Sequence, residues 1–212
     1  MICYTVRDSE VSLKTALIFL LISSGYAGAK DFLPGTFKVE FAQEYKTSLK
    51  GKVKKSSGNI QYKYPSQIRF EVTQPDKVVF VSNQEMSWYY QAPFIEGEPG
   101  ELNVRKTGKT GLSRFFDVLK KGLKTNQFYE VKNNKETSEI KFVEKFAKEL
   151  DIKGALITFK NDKMDFENIK NMELTYLDGH KIKLHFTEMK TGLSMNKEIF
   201  VFKAPKNTRI NQ

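Results

Sequence analysis

The chain has 212 residues, 40% hydrophobic and 13% aromatic, with 35 Lys and Arg against 25 Asp and Glu for a formal charge of +10. That length suits one domain with a real core, and the only cysteine, Cys3, excludes an intramolecular disulfide. The basic balance admits nucleic acid as a partner, but the lysines are scattered over polar strand positions and turns with no Arg-rich stripe. A solvated surface, biased toward anionic lipid headgroups or an acidic partner, is the better reading.

In chain order, the first feature is a leader. Lys14 precedes an apolar run at residues 16–22, which passes through Ser23, Ser24 and Gly25 to Ala27-Gly28-Ala29. A positive residue, a short apolar core and an A-x-A site predict a secretory signal peptide, residues 1–29, cut after Ala29. The run falls short of the ~20 apolar residues that a membrane span needs. Cys3 lies on the wrong side of it to carry a lipid and would be lost with it. The exported protein is then expected to be soluble, a single domain over residues 30–212, without a thiol nucleophile or thiolate metal site.

Phe37, Val39 and Phe41 alternate with Lys38, Glu40 and Ala42, a first strand continuing toward Tyr45, and a polar turn follows around Lys50-Gly51-Lys52. Ile60, Tyr62, Tyr64, Ile68, Phe70 and Val72 share one parity, and Gln61, Lys63, Gln67, Arg69 and Glu71 the other. The apolar run at residues 78–81, a turn at Ser82-Asn83-Gln84, and Met86, Trp88 and Tyr90 at period two extend the sheet. Pro65 and Pro75 sit where strands begin or bend, and Gly97, Pro99 and Gly100 mark a long turn.

The pattern changes at Thr110. Leu112, Phe115, Phe116 and Leu119 fall at i, i+3, i+4 and i+7, the stripe of a short helix closed by Lys120-Lys121 and Gly122. Alternation returns with Tyr129 and Val131, a turn at Asn133-Asn134, then Ile140 and Phe142. Residues 143–150 fit either a short helix or an extended insertion. Ala155, Ile157 and Phe159 alternate; Leu174 and Tyr176 lead into Asp178-Gly179, a two-residue hairpin signal, and Ile182, Leu184 and Phe186 return. A last strand spans residues 199–202, before Ala204-Pro205. The sum is a mainly β fold, a large antiparallel meander with one greasy aromatic face and one or few helices.

Phe41-x-Gln43, Pro65-x-x-Ile68-Arg69-Phe70-Glu71 followed by Gln74-Pro75, Val81-Ser82, Trp88-x-Tyr90 with Pro93, and Phe200-x-Phe202-x-x-Pro205 follow one another across residues 37–205. In order and spacing they resemble the LolA family, periplasmic carriers of lipoproteins between the two membranes of Gram-negative bacteria. The resemblance implies a curved, incompletely closed antiparallel β-barrel with a short helical lid, whose cavity shields acyl chains. It implies an acyl-chain site of Tyr62, Tyr64, Ile68, Phe70, Trp88 and Tyr90 under a lid carrying Leu112, Phe115, Phe116 and Leu119. It also implies a monomer that takes lipoproteins from an inner-membrane ABC exporter to an outer-membrane acceptor, with no cofactor, metal or nucleic acid. Three departures stand out. Tyr64 replaces an arginine that fastens the lid in several members. The turn before Trp88, Asn83-Gln84-Glu85-Met86, lacks the usual glycine. Only residues 30–36 precede the first strand, where members begin with an amphipathic helix.

An enzyme is not expected. His180 and His185, five apart, would face opposite sides of a strand, and no G-x-S-x-G, phosphate-cradling glycine loop or H-E-x-x-H occurs. The alternative function is a carrier or sensor of another lipid or amphiphile on the same half-barrel.

Overall fold

The computed structural model describes residues 31–46, 53–106 and 110–211. The leader and the turn at residues 50–52 lie outside them. Six strands come first: β1 (Thr36–Lys46), β2 (Val53–Lys63), β3 (Gln67–Gln74), β4 (Val78–Ser82), β5 (Ser87–Gln91) and β6 (Gly100–Arg105). Helix α1 (Gly111–Leu119) follows, then β7 (Tyr129–Asn133), β8 (Thr137–Phe142), α2 (Glu144–Leu150), β9 (Ile152–Phe159), β10 (Ile169–Tyr176), β11 (Lys181–Thr191) and β12 (Thr208–Asn211).

These strands form one twelve-stranded sheet in the order β12-β6-β5-β4-β3-β2-β1-β11-β10-β9-β8-β7. Every pairing is antiparallel except β12 on β6. Its margins, β12 and β7, do not pair with each other, so the barrel is incompletely closed. The curl is deep: Phe70 on β3 and Met172 on β10, with three strands between them in the sheet, line the same cavity.

Side-chain alternation then fixes what faces inward. Three rungs cross the first five strands on the concave face. One runs Phe37, Tyr62, Ile68, Ser82, Ser87; the next Val39, Ile60, Phe70, Phe80, Tyr89; the third Phe41, Gly58, Val72, Val78, Gln91. Glycine is required in the third rung. A Cβ on Gly58 would lie 1.9 Å from the Glu71 carbonyl oxygen and 3.0 Å from the Phe41 ring. The space left there lets Phe41 stack on Phe70 at 5.1 Å.

Helix α1 crosses the concave face between β6, near one margin, and β7, the other margin. Thr110 caps it, its hydroxyl accepting from the Ser113 amide while the Ser113 hydroxyl accepts from the Thr110 amide. Phe115, Phe116 and Leu119 are buried, as the apolar stripe predicts, Leu112 is half-buried, and Val118, outside that stripe, is buried as well. Phe116 packs 5.5 Å from both Phe37 and Tyr62. Gly122 ends the segment with φ of +97°.

Residues 143–150 resolve as helix: α2 ends at Asp151 in the left-handed region. Arg114 of α1 pairs with Glu149 and lies over the Phe146 ring, tying the two helices together. The expected final strand at residues 199–202 is not a strand. Residues Lys197–Phe200 form a 3-10 turn, and the true last strand, β12, begins beyond Pro205. The reason is that residues 193–202 serve as a cover: they pack Met195 and Phe200 against the convex face of β4–β6, over Val79, Val81, Tyr90 and Leu102.

Candidate functional site

Between α1 and the concave sheet lies a cavity of about 650 Å³, within the ~300–1,000 Å³ of ordinary ligand sites. Its first wall comes from β2–β5: Ile60, Phe70, Val72, Val78, Phe80 and Tyr89. The second comes from β10 and β11: Met172, Leu174, Tyr176, Ile182 and Leu184. Leu112, Phe115 and Phe116 of α1 roof it. Polar groups gather at one end, Gln43, Lys54, Ser56, Asp76 and Gln91, with Phe94 beside them. An apolar body with a polar mouth suits a ligand that is itself apolar with a polar end.

The sequence-derived site divides four ways. Phe70, Leu112, Phe115 and Phe116 line the cavity. Tyr62, Ile68 and Leu119 face inward but are wholly covered in the closed molecule and do not reach it. Trp88 and Tyr90 belong to the convex face, in the small core closed by residues 193–202, where Tyr90 meets Phe202 at 5.1 Å. Tyr89, between them, points into the cavity and across to Phe80. Tyr64 stands outside at the β2–β3 turn, about half exposed, with the Lys120 ammonium 5.3 Å above its ring.

How the roof is held was invisible in the sequence. Asp117, on the flank of α1, accepts three hydrogen bonds from the β2–β3 corner. The Tyr62 hydroxyl donates at 2.6 Å, the Ser66 hydroxyl at 2.6 Å and the Ser66 amide at 2.9 Å. Ser66 adopts φ of +60°, which turns amide and hydroxyl together toward the carboxylate at a cost of roughly 1 kcal/mol. Burial, and then the bond to Asp117, push the Tyr62 pKa far above its ordinary value, so Tyr62 stays protonated and remains the donor. At the other end of the segment, the Tyr129 hydroxyl of β7 donates to the Gly122 carbonyl at 2.6 Å and reaches the Val118 carbonyl at 3.2 Å. Burial raises this tyrosine too. Lys120 adds an ion pair to Asp31. The lid is therefore fastened by a carboxylate on the helix, with no arginine on the sheet involved.

His180 sits against Asp178 and His185 against Asn171, each a local pair. Among the described residues, no group of three or more His, Cys, Asp or Glu is placed to hold a metal ion. None of their helices is long and apolar enough to cross a membrane.

The family model described as outer membrane lipoprotein carrier protein LolA matches residues 35–203. An outer-membrane lipoprotein carrier protein of Pseudoalteromonas translucida (strain TAC 125) is 25% identical over 186 residues, covering 83% of this chain and 80% of that protein. Among solved structures, a LolA superfamily protein of Nitrosomonas europaea aligns with TM-score 0.42 at 9% identity, over 82% of this chain and 93% of its own. A conserved protein of Thermus thermophilus aligns with TM-score 0.45 at 9% identity, over 84% of this chain and 90% of its own.

Proposed function

Because the chain belongs to the LolA family of outer-membrane lipoprotein carriers, we propose that its cavity receives lipoprotein acyl chains and shields them from water during transfer across the periplasm. The observation that carries this reading is the apolar space between sheet and lid. A closed core of the same sequence would have filled it, since protein interiors leave few voids.

Each methylene withdrawn from water contributes about 0.8 kcal/mol, so ten methylenes bring about 8 kcal/mol. The cavity offers that shelter through aromatic and thioether side chains, among them Phe70, Phe80 and Met172. Such surfaces repack around differing chains. Tyr62 and Ile68, covered by Phe116 and its neighbours in the closed form, would join the lining when α1 lifts. Cargo would come from an inner-membrane ABC exporter and pass to an outer-membrane acceptor. The carrier acts as a soluble monomer after loss of residues 1–29, and performs no covalent step.

The test is release of lipoproteins from spheroplasts by the added protein, with recovery of a soluble one-to-one complex. Phe70→Glu or Phe80→Glu should abolish release while far-ultraviolet circular dichroism stays native. Failure of the wild-type protein to release any lipoprotein, with extractable lipid bound to it, would replace this reading by carriage of another amphiphile.

A further inference from the structure

The cavity does not open on a neutral surface. Antiparallel pairing brings the end of β1, the start of β2, the β3–β4 turn, the β5–β6 loop and the β10–β11 turn to one rim. The polar mouth, with Lys54, Asp76 and Phe94, opens there. Among the described residues, the three most exposed large apolar side chains are Phe94 (74%), Ile95 (69%) and Val53 (54%). All three stand on this rim, and Leu177 of the β10–β11 turn joins them.

The loop that presents Phe94 and Ile95 is built to hold them out. The Ala92 amide donates to the Lys77 carbonyl, the Glu98 amide to the Ile95 carbonyl, and the Asn207 side chain to the Gly97 carbonyl. Gly97 takes φ of +92°, which closes the turn. Apolar side chains kept in water by a pinned loop mark a surface that meets something apolar.

We propose that this rim docks on an anionic lipid bilayer, Phe94 and Ile95 entering the interface and Lys54 meeting the headgroups. Three observations favour a bilayer over a protein partner. First, the apolar points sit on separate turns around an opening and form no continuous groove. Second, the opening leads straight into an apolar cavity, so a chain moving between bilayer and protein would not cross water. Third, the charge is complementary. Lys54 lines the mouth, and the chain as a whole carries a formal charge of +10. Against these stand Asp76, Glu96, Glu98 and Asp178. Each basic residue near an anionic surface adds about 1 kcal/mol. The carrier reading supplies the purpose of this contact, but the contact itself needs no cargo.

The test is co-sedimentation of the purified protein, in the form cells make from the full chain, with two kinds of vesicle. One contains phosphatidylethanolamine and phosphatidylglycerol, the other phosphatidylcholine alone. The wild-type protein should bind the anionic vesicles more tightly than the neutral ones. Phe94→Ser with Ile95→Ser should lower that partition about tenfold or more, the loss expected from two side chains no longer entering the interface. Lys54→Glu should lower it several-fold on anionic vesicles only. No vesicle binding by the wild type, or binding unchanged in the double variant, would overturn the proposal. If rim variants stopped cargo delivery without any vesicle binding, the rim would belong to a protein acceptor and the carrier reading would survive. If vesicles bound but no lipoprotein were ever released from spheroplasts, the carrier reading would fail and the docking surface would stand.

Discussion

Asp117→Ala removes the one acceptor shared by Tyr62 and both donors of Ser66. A hydrogen bond to a charged group contributes about 1.5–3 kcal/mol, and a buried donor left unmade costs about 1–3 kcal/mol. Tyr62 and Ser66 are 0% and 2% exposed, so water cannot take over without moving the corner. Three bonds meeting on one carboxylate do not add in full. The expected loss is therefore about 3–5 kcal/mol, read as a lower urea midpoint at unchanged slope. Tyr62→Phe removes one bond and should cost about 1–3 kcal/mol, with a coupling of about 1 kcal/mol or more in the double-mutant cycle. The same change should favour the lifted helix, because a contact made only in the closed state is gone. A fluorescent fatty acid should then enter faster in Asp117→Ala than in wild type. Stability within about 1 kcal/mol of wild type would refute the hydrogen-bond reasoning. Unchanged probe uptake in a destabilised variant would show that α1 does not gate the cavity.

The two faces of β5 should respond oppositely. Tyr89→Glu should weaken probe binding about tenfold or more with little change in melting, whereas Trp88→Ala should cost about 2 kcal/mol in stability and leave binding within about twofold. Gly58→Ala should destabilise by about 2 kcal/mol or more, since the new methyl meets the Glu71 carbonyl rather than a movable side chain; urea melts read it directly. Tyr62, Tyr129 and Tyr176 are all raised above the ordinary value of 10.0, burial being the first cause in each. A folded-state pKa above the unfolded one keeps its stability below pH 10 and loses it as pH rises further. The slope approaches about 1.4 kcal/mol per pH unit for each tyrosine. Alkaline melts should show this decline, and Tyr62→Phe should make it shallower.

Much of this architecture is written in the parity of residues 37–72 and in the stripe from Leu112 to Leu119. There one face is buried and the other wet, so alternation has one meaning. The signal failed where both faces are buried. On β4 and β5 the convex face is closed by residues 193–202, and Trp88 and Tyr90 look as greasy as a cavity wall would. The cover itself was read as a strand because Ile199, Phe200 and Phe202 are apolar, though they pack as a 3-10 turn and an extended run. Asp117 gave no warning. A single acid on the polar side of a helix is ordinarily solvated, and only the fold brings Tyr62 and Ser66 to it across 55 and 51 residues of chain. Tyr64, standing where several family members carry a lid-fastening arginine, marked the departure but gave no sign that the helix here is held through Asp117.

Helix α1 leaves the sheet from β6 and returns at β7, near its two opposite margins. It is thus the strap across the unsealed seam as well as the roof of the cavity. Lifting it slackens the tie between the margins, and spreading the margins pulls on the helix. Width of seam and height of roof then change as a single degree of freedom. A bulky guest would then enlarge its own shelter by the same movement that admits it.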